Sequence, residues 1–214
     1  MKDVYKRQML AMERDLLQHC DLVFVTAPGL YESKKQYNDR MYLLPNAADV
    51  GHFGKANLES TVVPPEIANL PHPVVGFIGV IHHWIDVDAI AYLAEKRPQW
   101  SVVLVGPLGA GMQVERLKAL PNVLFVGRKD KEELPGYLKG FDLCLNPFRE
   151  NELTRMVSPL KFYEYLASGK PVVSTKMPGV MEFSALIEIA ETPEAFLQAA
   201  ERALACLLYT SRCV

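Results

Sequence analysis

The sequence predicts an α/β fold built on a doubly wound parallel sheet. Short apolar, β-branched runs recur along the chain, and stretches with helical spacing alternate with them. With 214 residues, half of them hydrophobic, the chain can bury a full core, and its composition excludes a disordered protein.

The runs at 22–25, 41–44, 74–78, 102–105, 123–126, 143–145, 172–174 and 186–189 each read as a buried strand. Helical spacing covers 10–17, 31–37, 87–95, 114–120, 134–139, 160–167 and 193–205. The Pro-rich stretch 62–73 has no clear period and marks a boundary between two units. Parallel strands all finish on one edge, so ligands collect in the loops beyond their carboxyl ends. Those loops are 79–85, 106–112, 127–131, 146–158 and 175–180, and Gly79, Gly106 and Gly127 open the first three.

A formal charge of -2 gives no electrostatic reason for a nucleic-acid partner. No apolar stretch approaches the roughly 18 residues of a membrane span. The N-terminus lacks a secretory pattern, so a cytoplasmic location is expected, with peripheral membrane contact through a further domain.

Both ends read as foreign to the fold. Asp3-Val4-Tyr5-Lys6-Arg7-Gln8 can be encoded by a string whose reverse complement, in another frame, encodes the peptide at 206–211. Residues 212–214 fit the continuation of the same string, so residues 1–8 and 206–214 resemble a translated sequencing adapter. Removing them makes the remaining charge more negative. Only Cys20 and Cys144 are then left, without motif spacing, and neither a disulfide framework nor a metal site is expected.

The most informative stretch is 158–175. Ser158 suits an N-cap, Pro159 the first helical position, and Gly169 the residue past the helix end. Lys161 and Glu164, three apart, share one face of that helix. A surface ion pair accounts for such a pair as well as a binding site does. The Pro-Lys-Glu helix followed by Leu166 to Val173 resembles the C-terminal, donor-binding domain of GT-B-fold glycosyltransferases, of the retaining type that builds bacterial surface polysaccharides. The segments Leu44 to Phe53 and Leu120 to Gly127 resemble the same family, and the likeness covers roughly 20–205.

That resemblance implies a Rossmann-like donor domain at 74–205, a linker at 57–73, and at 9–56 the end of an N-terminal acceptor domain. It implies a UDP- or GDP-linked sugar as donor and a sugar or lipid-linked acceptor, with no cofactor. Glu164 is expected on the ribose hydroxyls, and Lys161 with the N–H groups of the first helical turn, at the Pro159-Leu160 entry of the helix, on the diphosphate. Gly79 and His82 are expected near the phosphates, and Gly127 and Arg128 near the base. Family members commonly carry a second glutamate where Met156 stands, and Glu150 or Glu152 is the nearby substitute. The catalytic group is unassigned, and the chain alone is expected not to transfer sugar. A nucleotide-sugar 2-epimerase of the same fold, or a non-catalytic binding module, is the alternative.

Other signals carry less. The cluster from His82 to Asp88 suits a loop and an N-cap rather than a metal site. The glycines at 106–111 do not match the dinucleotide spacing. Trp84, Trp100, Phe141 and Phe148 read as packing residues.

Overall fold

The structure is a computed structural model that describes residues 2–210, with side-chain surroundings given for 4–206. Two parallel sheets form. The smaller pairs β1 (Val23–Val25), which follows α1 (Lys2–His19), with β2 (Met41–Leu43), which follows α2 (Pro28–Lys34). The larger has the order β5-β4-β3-β6-β7-β8, from β3 (Val74–Ile78), β4 (Ser101–Val105), β5 (Val123–Gly127), β6 (Leu143–Asn146), β7 (Val172–Thr175) and β8 (Glu188–Ala190). Every pairing is parallel, as the continuous apolar runs require.

Helices cover both faces. Val75, Phe77, Val102, Leu104, Leu143 and Leu145 point to the side packed by α5 (Val87–Lys96) and α9 (Pro193–Thr210). Val74, Ile78, Val103, Val105 and Cys144 point to the other side. There they meet α3 (Val50–Phe53), α4 (Pro65–Ala68), α7 (Leu134–Gly140) and α8 (Leu160–Ala167). The short α6 (Glu115–Lys118) lies between β4 and β5. Cys144 is fully buried, and desolvation pushes its thiol pKa up, in keeping with an inert packing role.

Several elements differ from expectation. The helix expected at 31–37 begins at Pro28, which supplies a pre-set φ at the first turn, and 35–37 tighten into a 3-10 turn. The last strand, expected at 186–189, begins two residues later at Glu188 and ends at Ala190, and Leu186 is exposed. Phe53 and Ala56, expected on the acceptor side of the boundary, are buried in the α7–α8 layer. Ile67, in the stretch without periodicity, is buried there too. Residues 4–8 are exposed in α1, α9 continues through Thr210, and 211–214 of the expected foreign tail lie outside the described residues.

Gly76 marks the tightest approach in the sheet. A Cβ there would stand 2.0 Å from Phe141 Cε2, and the fully buried ring has nowhere to retreat. Gly76→Ala is therefore expected to cost about 1–3 kcal/mol in urea unfolding. Adding Phe141→Leu should recover part of that loss, and an additive double variant would contradict the steric cause.

Candidate functional site

The strand order reverses between β3 and β6, and there the sheet opens. β3 stays paired with β4 as far as Ile78↔Val105, whereas β3 and β6 pair at Val75↔Leu143 and Gly76↔Cys144. Ile78 has backbone groups directed into the gap. The hydroxyl of Tyr165, fully buried on α8, accepts from the Ile78 N–H at 2.7 Å and donates to the Ile78 carbonyl at 3.2 Å. Burial pushes the Tyr165 pKa up, which keeps the donor proton in place.

Glycines let the loops close over this edge. Gly106 has φ +138, and a Cβ there would lie 2.0 Å from the Gly79 carbonyl oxygen. Gly79 donates to Val105, Gly106 donates to Gly127, and Gly109 donates to Ile81, so the three loop roots are tied in a row. Beyond them lies a cleft of about 310 Å³ lined by Gly79, Gly106, Arg128, Lys129, Leu134 and Lys161, among others. A larger cleft of about 550 Å³ opens at the opposite, amino edge beside Trp100 and Pro121. No ionisable side chain lines that one, so it offers no charge to an anion.

Helix α8 starts at Leu160 with Pro159 as its N-cap and no side-chain cap. This corrects the assignment of the cap to Ser158, whose hydroxyl lies 3.1 Å from the Tyr163 hydroxyl instead. Gly169 follows the helix with φ +70, as expected of a C-terminal glycine. Lys161 Nζ is 2.8 Å from Glu164 Oε2, and Glu164 is only 7% exposed. The uncapped first turn and Lys161 thus present positive charge at the crevice, with an ionisable carboxylate one turn behind.

The remaining expected residues divide. Gly79, Arg128 and Lys161 share the cleft, and Gly127, with φ +80, turns the chain out of β5 toward it. His82 stacks on Trp84 with centroids 4.1 Å apart and lies against Gly109. Leu160 is exposed on the first turn. Glu152 is exposed on the 146–158 loop, while Glu150 pairs with Arg155 at 2.7 Å. Met156 packs against Gly29 of α2, and Asn46 Nδ2 donates to the Ser158 carbonyl at 2.7 Å. The segment before β3 therefore docks onto the entry of α8. Asp86 caps α5 and Asp88 pairs with Arg149, and no metal-binding cluster occurs among the described residues.

Sequence reasoning missed two features. Asn146, buried at the end of β6, donates to Ser174 Oγ, and its Oδ1 has no hydrogen-bond partner. Lys129 lines the cleft and is bound at 2.8 Å by Glu66, which also accepts from the Tyr137 hydroxyl. The Asn that ends β6 was readable as a polar residue closing an apolar strand; the Glu66 contact spans 63 positions and left no local pattern.

Two outcomes test this geometry. Tyr165→Phe leaves the Ile78 N–H and carbonyl without their partner, so unfolding should cost at least about 1–3 kcal/mol less than for the unaltered chain. An unchanged urea midpoint would contradict the role of the hydroxyl. Lys129 first, and then the Tyr137 hydroxyl, lowers the Glu66 pKa to about 2 from 4.5. The folded state therefore favours the carboxylate, and the stabilisation is complete above the ordinary Glu range and lost as pH falls through about 2. Acid titration should cost the unaltered chain more stability than Glu66→Gln, by a margin that shrinks in salt; parallel curves would contradict the pairing.

Comparison with known proteins agrees with the fold. Residues 72–206 match the family Glycosyl transferases group 1. A Bacillus subtilis (strain 168) protein named for a glycosyltransferase of teichuronic acid biosynthesis, TuaH, is 35% identical over 137 residues, covering 61% of this chain and 34% of that protein. The chain thus spans about a third of that relative's length. HepE of Anabaena, solved with UDP and glucose, superposes with a TM-score of 0.67 at 20% identity, over 99% of this chain and 60% of that one. Sucrose-phosphate synthase from Thermosynechococcus elongatus gives 0.66 at 20% identity, over 93% and 53%. WaaG, a glycosyltransferase involved in lipopolysaccharide biosynthesis, gives 0.64 at 15% identity, over 85% and 53%. With a six-stranded parallel sheet of this order and a group 1 match over most of its length, the chain belongs to the group 1 glycosyltransferases of GT-B fold.

Proposed function

We propose that this chain supplies the donor half of a nucleotide-diphosphate-sugar-dependent glycosyltransferase of surface polysaccharide or glycolipid assembly. The observation that carries it is the Lys161–Glu164 pair, held by an uncapped helix turn at the switch-point crevice, with Arg128 on the facing loop. Lys161 and the first-turn N–H groups neutralise the diphosphate, whose charge grows as the bond to the sugar breaks. Glu164, acceptor-only when ionised, takes the two ribose hydroxyls. UDP and glucose in the HepE structure favour uridine as the nucleoside.

In the β1–β2 unit, Leu22, Phe24 and Tyr42 are exposed, so these residues offer no closed second wall for an acceptor. Holding two reactants in line supplies roughly 7–11 kcal/mol of a barrier, and one wall of a cleft cannot do so. The acceptor therefore meets the donor on a further domain of the working enzyme. Among the described residues no helix is long and apolar enough to cross a bilayer.

Calorimetric titration with UDP tests the donor site. Glu164→Ala removes a charge-assisted acceptor and should weaken binding by about 1.5–3 kcal/mol. Equal affinity in the variant would take Glu164 out of the site.

A further inference from the structure

The turn at 128–131 is tied into the fold at every polar position except one. Lys129 Nζ donates to Glu66 at 2.8 Å and lies 5.5 Å from the centre of the Tyr137 ring. The Asp130 N–H donates to Glu133 at 2.9 Å, in a capping box, and His52 Nε2 donates to the Lys131 carbonyl at 2.8 Å. Arg128 alone has no such tie among the described residues, and it lines the cleft together with Lys161. Two adjacent cations therefore border one cleft, and the fold fixes the second while leaving the first for a ligand.

Glu66 does the fixing. It stands on α4, in the segment that enters β3, and its carboxylate takes both Lys129 and the hydroxyl of the fully buried Tyr137. Tyr137 is immovable in the core, so Glu66 is oriented by the core and passes that orientation to Lys129.

We propose that Glu66 is a positioning residue for nucleotide binding: by anchoring Lys129 it holds the 128–131 turn so that Arg128 faces the anion in the cleft. This rests on the donor-site function above and adds a residue from outside the carboxyl-edge loops. A plain electrostatic role has the opposite sign, since deleting a carboxylate beside the cleft raises its positive potential and would tighten anion binding.

Titration of the full chain with UDP separates the two. Glu66→Ala should bind UDP about five- to tenfold more weakly, and Glu66→Gln, which keeps the acceptor geometry without the charge, should stay within about threefold of the unaltered chain. In an Arg128→Ala background the Glu66→Ala change should have no further effect, because the two act as one unit. If Glu66→Ala does not fold, Tyr137→Phe, which removes one of the two donors to Glu66, should weaken UDP binding about twofold by the same route. Tighter or unchanged binding in the variant tested, or an equal loss with Arg128 absent, overturns the inference alone. Failure of the unaltered chain to bind UDP or GDP overturns the donor site, and this inference with it.

Discussion

The exchange between the Tyr165 hydroxyl and both backbone groups of Ile78 is the contact on which the site depends. A parallel sheet whose order reverses must part its strands at the reversal, and the parting strands a buried N–H and carbonyl. One hydroxyl satisfies both, so the gap can stay open toward the carboxyl edge without filling with side chains. The same contact fixes the rotation of α8. Lys161 lies one turn before Tyr165 on the helix, so pinning Tyr165 against β3 carries Lys161 to the mouth of the cleft.

Two of the three cations that line the cleft are paired with carboxylates within the chain. Lys161 rests on Glu164, Lys129 rests on Glu66, and Arg128 has no carboxylate partner among the described residues. A buried carboxylate such as Glu164 is costly to leave unpaired, so Lys161 stabilises it in the empty cleft. In the proposed donor site, a diphosphate would take over Lys161 only if something else satisfied Glu164, and the ribose diol beside the phosphates would do this. On that proposal, recognition of the nucleoside and of the phosphate chain would be coupled through the Lys161–Glu164 ion pair.

The sequence made the central strands legible because they are buried on both faces. β3 and β4 have no exposed residue, and their apolar runs need no alternation to be found. The start of β8 was placed two residues early because the strand is partly exposed and Leu186, outside it, is apolar too. The pairing of Lys161 with Glu164 on one face of α8 was legible from their three-residue helical spacing. Ser158 was misread as a cap since a competing hydroxyl, Tyr163, takes its side chain. The short α3 and α4 carry one buried anchor each, Phe53 and Ile67, too few for a period to emerge. Contacts such as Glu66 to Lys129 exist only after α4 packs on α7, and no window of sequence contains them.

A crystal structure of the chain grown with UDP tests the central claim most directly. The expected result is ordered density at the carboxyl edge, with the ribose hydroxyls on Glu164 and the phosphates against Lys161 and the first turn of α8. Density at the amino-edge cleft beside Trp100, or a nucleotide at the carboxyl edge that leaves the Lys161–Glu164 pair untouched, would contradict it.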